Sequence, residues 1–330
     1  MSLKIIKAGI LDTIQDMGRY GLQYLGINPT GAMDRFSVQV ANALVGNNSH
    51  DAVIEMHFRA PVFIFQRPTL IALSGANFSA SINGEDIPIH HPIIVTKNCV
   101  LQFHEPLSGV RAYMAVQGGF KIEEWLHSNS TNLKANAGGY NGRALQKDDE
   151  IYFNQTIPIS FLQKEKEFLV LPWQADVNWH DSAYPDEIFI VPGNEWGWLS
   201  DGSQKDFLSQ TFRITPNSDR MGYRLNSGAL QTTNKEEVVS SAVDFGTIQL
   251  LPGKQIIILM ADHQTTGGYP RVAHIISAHH SKIAQMKAGD EIHFRLTDQQ
   301  TAENLLIEQY QHLHHLQNAC KFKREEFFKE

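Results

Sequence analysis

The chain reads as a mainly β protein built in two similar halves, and three observations carry that reading. Apolar and polar residues alternate at period two through many short segments. Gly, Pro and Asn or Asp separate those segments at close spacing. A seven-residue pattern recurs late in each half. In the clearest segment Val110, Ala112, Met114 and Val116 alternate with Arg111, Tyr113, Ala115 and Gln117. Phe78, Ala80 and Ile82 alternate likewise and run into Asn83-Gly84, a dipeptide that supplies the two left-handed residues of a tight hairpin. Further strands are predicted at 62–65, 93–96, 188–191, 248–251, 255–260 and 292–296. Many short strands with few helices predict β-barrels or sandwiches.

The recurring pattern sets Lys147-Asp148-Asp149-Glu150-Ile151-Tyr152-Phe153 beside Ala288-Gly289-Asp290-Glu291-Ile292-His293-Phe294. Each is a turn feeding an alternating strand. A duplicated unit and a chance likeness both account for it. Helices are few. Asp34 can cap one whose buried face is Phe36, Val40, Ala43 and Leu44, stopping at Gly46. A second starts near Thr301 and carries Leu305, Leu306, Tyr310, Leu313 and Leu316 on one side. The halves are expected at 1–165 and 186–300, with a linker at 166–185 containing Pro172 and Pro185, and a helical tail at 301–330.

The chain has 330 residues, 42% hydrophobic and 19% charged, with a net charge of -7. That composition suits a folded protein, and it offers no concentrated positive charge for nucleic acid or an anionic membrane. Cys99 and Cys320 make no disulfide framework and no Cys-x-x-Cys pair. No long apolar core precedes Asp12 and Asp16, and no apolar run reaches the ~18 residues of a membrane span, so a cytosolic location is expected.

The common catalytic signatures are missing: no phosphate-binding Gly-x-x-x-x-Gly-Lys-Ser/Thr loop and no Gly-x-Ser-x-Gly elbow. His312, His314 and His315 lack zinc spacing, and the pairs His90-His91 and His279-His280 are discounted in the same way, so no metal site is expected. Three Gly-punctuated polar clusters remain. The first runs from Asn136 to Arg143 through Gly138, Gly139, Asn141 and Gly142. It is either a tight turn with an exposed Arg or a loop whose N–H groups and Arg143 hold an anion. The second, Ser218-Asp219-Arg220-Met221-Gly222-Tyr223-Arg224-Leu225, is either a salt-bridged hairpin or a substrate-anchoring segment. The third, Ala261-Asp262-His263-Gln264-Thr265-Thr266-Gly267-Gly268-Tyr269-Pro270, leaves the end of an apolar strand, where a strand fixes the base of a polar loop.

Taken in order, these segments resemble the carboxyltransferase family that includes the C subunits of 5-oxoprolinases, the KipA proteins, allophanate hydrolase subunit 2 and the carboxyltransferase part of urea carboxylase. The resemblance begins with Gly9-Ile10-Leu11-Asp12-Thr13-Ile14-Gln15-Asp16-Met17-Gly18-Arg19 and Gly31-Ala32-Met33-Asp34. It runs through the first two clusters and Gly246-Thr247-Ile248-Gln249 to the third. Asp148-Asp149 stands where the family has a Gly-Asp turn, and Pro192-Gly193-Asn194-Glu195-Trp196 replaces a Gly-Pro segment.

The resemblance implies two cyclophilin-like β-barrel domains with a substrate site in the cleft between them. It implies a hydrolase of cyclic amides that is active only with partner subunits of the 5-oxoprolinase A and B types, the B type being KipI-like. On that reading Arg220 and Arg143 are candidates to hold the substrate carboxylate, and Asp262 to position or deprotonate a nucleophile. Backbone N–H groups from Thr266 to Gly268 are candidates to hold an oxyanion. Asn141, Asp219, Tyr223, Gln264, Thr265, Gly267, Gly268 and Tyr269 complete the expected substrate contacts. No cofactor is expected on this chain alone. ATP with Mg would serve the whole complex. Two other activities are open to the family: carboxyl transfer to urea or an amide from biotin carried by another protein, and KipA-type binding of a kinase inhibitor.

Overall fold

The structure, a computed structural model, describes residues 2–154, 167–178, 186–226, 228, 230–234 and 237–328. Of the expected linker, residues 166 and 179–185 lie outside the described residues. The chain divides into two compact units. One comprises Met1–Gly18, Asp34–Asn178 and Gln311–Glu330, and the other Arg19–Met33 and Trp179–Tyr310. The short segment Arg19–Met33 thus groups with the second unit although it lies near the start of the chain.

In the first unit the described strands form two six-stranded sheets. One runs, in spatial order, Glu150–Tyr152, Ser2–Lys7, Val62–Phe65, Val100–Phe103, Ala80–Ile82 and Glu85–Asp86. The other runs Phe168–Val170, Pro92–Val95, Thr69–Asn77, Ser108–Val116, Val53–His57 and Thr13–Gln15. Leu3, Ile5, Phe63, Phe65 and Leu101 from the first sheet pack with Ile54, Met56, Ile71, Leu73, Met114 and Val116 from the second. The alternation predicted at 110–116 is real, but both sides of that strand are buried. Helix α1, Arg35–Val45, packs on this sheet and contributes Val38, Ala41 and Leu44 to the buried set. Asp34 caps it by accepting the Ser37 N–H at 3.0 Å, and Gly46 closes it in the left-handed conformation. Asn83 and Gly84 both have positive φ, as the predicted hairpin requires.

In the second unit seven strands close a barrel in the order Glu187–Pro192, Arg271–Ile275, Thr247–Leu250, Ile256–Leu259, Gly222–Asn226, Phe212–Ile214 and Glu291–Leu296. The parallel pairing of the first strand with the last completes the ring. Ile190, Phe212, Tyr223, Ile248, Ile258, Val272 and Phe294 fill it, and Met33 from the early segment joins them. Helix α2, Asp201–Ser209, supplies Phe207, which stacks on Phe294 at 5.2 Å. The short helix α3, His280–Ala284, follows.

The seven-residue pattern marks the same local construction in each unit. Ile5 N–H donates to Asp149 O and Asp148 N–H to Ile5 O. Equivalently, Ile214 N–H donates to Asp290 O and Gly289 N–H to Ile214 O. The Asp149 carboxylate accepts Gln146 N–H at 2.7 Å, and that of Asp290 accepts Lys287 N–H at 2.9 Å. Asp148 and Gly289 occupy the same left-handed place, φ 71 and 95. Asp148 is a non-glycine at a position that favours glycine.

Helix α4, Gln299–Phe328, begins two residues before the predicted tail. Its residues to Tyr310 group with the second unit and the rest with the first. In the first unit it buries Leu313, Leu316 and Cys320, sets Phe327 against Trp173 at 5.7 Å, and lays the Arg324 guanidinium against Gly46. No described helix is long and apolar enough to cross a membrane.

Candidate functional site

The first cluster folds into a loop with positive φ at Asn136, Gly138, Gly139, Asn141 and Gly142. A Cβ at Gly139 would run into Thr131 Oγ1, and one at Gly142 into the Asn136 carbonyl. Gly139→Ala is therefore expected to cost about 2 kcal/mol or more. An unchanged urea midpoint would contradict this packing. Asn141 is exposed on the loop, but Arg143 is not an open anion anchor. Its two terminal nitrogens hold both oxygens of Asp149, at 2.7 and 2.8 Å, and Nη1 also donates to Ala144 O. Burial works to raise the Asp149 carboxyl, but hydrogen bonds from Arg143 and Gln146 N–H hold it below the usual range. In this structure the fork of Arg143, expected to contact substrate, is matched to the Asp149 carboxylate.

Two acids of the first resemblance motif are buried in the first unit. Asp16 is fully engaged: its carboxylate accepts from Gly18 N–H, Asn129 N–H, and the Ser128 and Ser130 hydroxyls. Asp12 differs. Burial pushes its pKa up to about 7, and backbone N–H groups of Gly9 and His57 offset that only in part. Sequence reasoning passed over Asp12, because nothing local signals that an acid beside Leu11 and Thr13 is 1% exposed.

In the second unit the second and third clusters are joined. Arg220 Nε donates to Asp262 Oδ2 at 2.9 Å, and Nη2 donates to Asp262 Oδ1 at 3.2 Å and to the Gly31 carbonyl at 2.6 Å. Arg220 is 5% exposed and Asp262 9%. Asn28 Nδ2 reaches Asp262 O at 3.2 Å. The pair thus fastens the early Arg19–Met33 segment to the end of the Ile256–Leu259 strand. Arg220, expected as a carboxylate anchor, and Asp262, expected as a base, are thus paired with each other in this structure. Tyr223, expected as a substrate contact, is buried. It sits in the barrel core with its hydroxyl on Met286 O at 3.1 Å. Asp219 accepts the Met221 and Gly222 N–H groups and so shapes the turn.

The third cluster keeps the most open chemistry. Thr266 and Gly267 pair with Ser241 and Ala242 in a two-residue ribbon. This ladder draws on the backbone that was expected to hold an oxyanion. Val243 N–H donates to Thr265 O. His263 is buried, with Nδ1 on Gln264 O at 2.6 Å and Nε2 3.6 Å from Asp244 Oδ1. The nearby imidazole, together with the Phe245 N–H that donates to Asp244 Oδ1 at 2.8 Å, holds the Asp244 carboxyl below its ordinary pKa. Gln264 Nε2 lies 3.5 Å from Gln249 Oε1. Gln249 is 1% exposed and its Nε2 has no hydrogen-bond partner. Gly268, Tyr269 and Pro270 then form one wall of a cavity of about 560 Å³, with Trp198, Leu230 and Leu250 on other sides. The volume is that of a small-molecule site.

Outside these clusters, the Pro192–Trp196 segment is locked by Glu195, which accepts the Arg271 backbone N–H and two guanidinium hydrogen bonds. Among the described residues no group of three His, Cys, Asp or Glu is placed to hold a metal. His312 instead meets Asp176 O, and His279 Nδ1 accepts Phe189 N–H.

Comparison with known proteins adds a family to this geometry. The family model described as carboxyltransferase domain, subdomain A and B, matches residues 25–296. The C subunit of the Haemophilus influenzae 5-oxoprolinase is 33% identical over 293 residues, 89% of this chain and 90% of its own. That of Escherichia coli is 33% identical over 88% and 90%. The crystal structure of the K. lactis urea amidolyase superposes with a TM-score of 0.86 at 27% identity, covering 96% of this chain and 20% of that one.

Proposed function

Since the chain belongs to the carboxyltransferase domain family, subdomains A and B, we propose that it is the C subunit of a cytosolic, multi-subunit 5-oxoprolinase that opens 5-oxoproline to glutamate. One observation carries this choice within the family: the match to the two bacterial C subunits runs over 90% of their length. The urea amidolyase likeness covers 20% of a much longer chain. A separate subunit implies partners, and those proposed are a KipI-like chain of the B type together with a chain of the A type.

A lactam is unreactive towards water, and ATP would supply activation by phosphorylating its carbonyl oxygen. The residues present do not fit that nucleotide. The glycine-rich loop runs into a turn and the Glu150–Tyr152 strand rather than a helix N-terminus, and its Arg143 is spent on Asp149. ATP and Mg are proposed to serve the whole complex rather than to bind this loop. What this chain offers is the cavity and the loop beside it. Gly268 and Tyr269 line the space, Gln264 and Thr265 shape the loop behind it, and Arg220 with Asp262 sets where that loop leaves the barrel.

A second reading, carboxyl transfer to urea or a related amide with biotin on another protein, is favoured by the fold match to the urea amidolyase. The test is ATP-dependent glutamate release from 5-oxoproline by the three chains together, with each omitted in turn. Release that disappears without this chain is the expected result. Release that persists without it would remove the proposal.

A further inference from the structure

The ribbon of Ser241–Ala242 and Thr266–Gly267 covers a polar layer on the barrel strand Thr247–Leu250. Ile248 and Leu250 face the barrel core, so Thr247 and Gln249 lie on the opposite side of the strand. That side of an antiparallel strand ordinarily meets water, yet Thr247 is 0% and Gln249 1% exposed. Thr247 is satisfied through His274 Nδ1 and Asp244 N–H. Gln249 is not: its Nε2 is buried without a partner, and so is the Ser241 hydroxyl of the ribbon. Both stand against Gly267. Ser241 is its ladder partner, and a Cβ at Gly267 would lie 2.5 Å from Gln249 Nε2. Burying such groups unpaired is costly, and an apolar side chain of the same shape would avoid the cost. The ribbon is short, with two residue pairs of small side chains continued by the Val243 N–H to Thr265 O hydrogen bond. Its arms run on into the cavity wall, Glu237 and Val238 from one side, Gly268 and Tyr269 from the other.

We infer that Gln249 and Ser241 form a binding site for the carbonyl oxygen of a neutral amide, entered from the cavity when the ribbon lifts. The Gln249 NH₂ is donor-only, so its partner must be an acceptor. An amide and a hydroxyl carry no charge to offset the desolvation of a carboxylate, so the acceptor is an uncharged carbonyl. Assigning that carbonyl to a lactam rests on the function proposed above.

The test uses the full-length chain, ¹⁵N-labelled, with 2-pyrrolidone and 5-oxoproline as probes. The Gln249 side-chain amide signal is identified by its loss in Gln249→Met. In the wild type it is expected to shift and saturate with each lactam, and Gln249→Met is expected to weaken binding at least tenfold. The thermal midpoint separates this role from a structural one. Gln249→Met keeps or raises it, because the variant removes an unpaired buried donor. A lowered midpoint, binding unchanged in the variant, or no shift in the wild type with either lactam overturns the inference. Lactam binding without glutamate release by the three-chain mixture would overturn the proposed reaction and leave this site standing.

Discussion

Replacing Arg220 with alanine is expected to destabilise the barrel unit by about 3–5 kcal/mol, the usual cost of leaving one partner of a buried ion pair without the other. The substitution strands the Asp262 carboxylate and strips the Gly31 carbonyl of its donor. Asp262→Ala should cost a similar amount for the converse reason. The double variant Arg220→Met with Asp262→Leu should recover most of the loss, since well-packed apolar residues replace buried pairs at little cost. Arg220→Lys should not, because an ammonium cannot span both carboxylate oxygens and the carbonyl. Urea unfolding of the four variants checks the set. A loss below about 1 kcal/mol for Arg220→Ala would place the pair among surface bridges of little worth.

Asp12 is expected to make the first unit less stable as pH rises from about 4 to about 7. Its carboxyl titrates near 3.8 when unfolded and at about 7 when buried, so the folded chain binds the extra proton throughout that window. Stability falls with pH wherever the folded state holds more protons. The contribution is therefore whole below pH 3.8 and gone above pH 7, with a slope of about 1.4 kcal/mol per pH unit and a total on the order of 4 kcal/mol. Asp12→Asn keeps an acceptor for Gly9 N–H, which donates at 2.7 Å, and carries no proton to lose. It should flatten the profile and exceed the wild type in stability above pH 7. Parallel profiles for the two proteins from pH 4 to 8 would show that Asp12 is not the titrating group.

Much of the fold was legible because its signals are local. Asp34 and Gly46 bracket helix α1, Asn83-Gly84 makes a hairpin, and the turn at Asp148-Asp149 recurs at Gly289-Asp290. The site was legible only as three neighbourhoods. Tyr223 shares a strand face with Leu225, and period two alone would have placed it inside the barrel. Arg143 and Asp149 are six residues apart, yet charge spacing across a loop gives no geometry. Arg220 and Asp262 are 42 residues apart and meet only because adjacent strands bring their ends together. Gln249 looks solvent-facing in sequence, and only a ribbon from elsewhere in the chain makes it buried.

The most direct test of the proposed function is a substrate comparison with the assembled chains. ATP turnover and product are measured with 5-oxoproline and, in parallel, with urea and bicarbonate in the presence of a biotin-carrying protein. Glutamate is expected to form in step with ATP consumed on 5-oxoproline and to be lost when this chain is left out, with no carboxylated urea. Carboxylated urea with no glutamate would contradict the proposed function and assign the chain to carboxyl transfer.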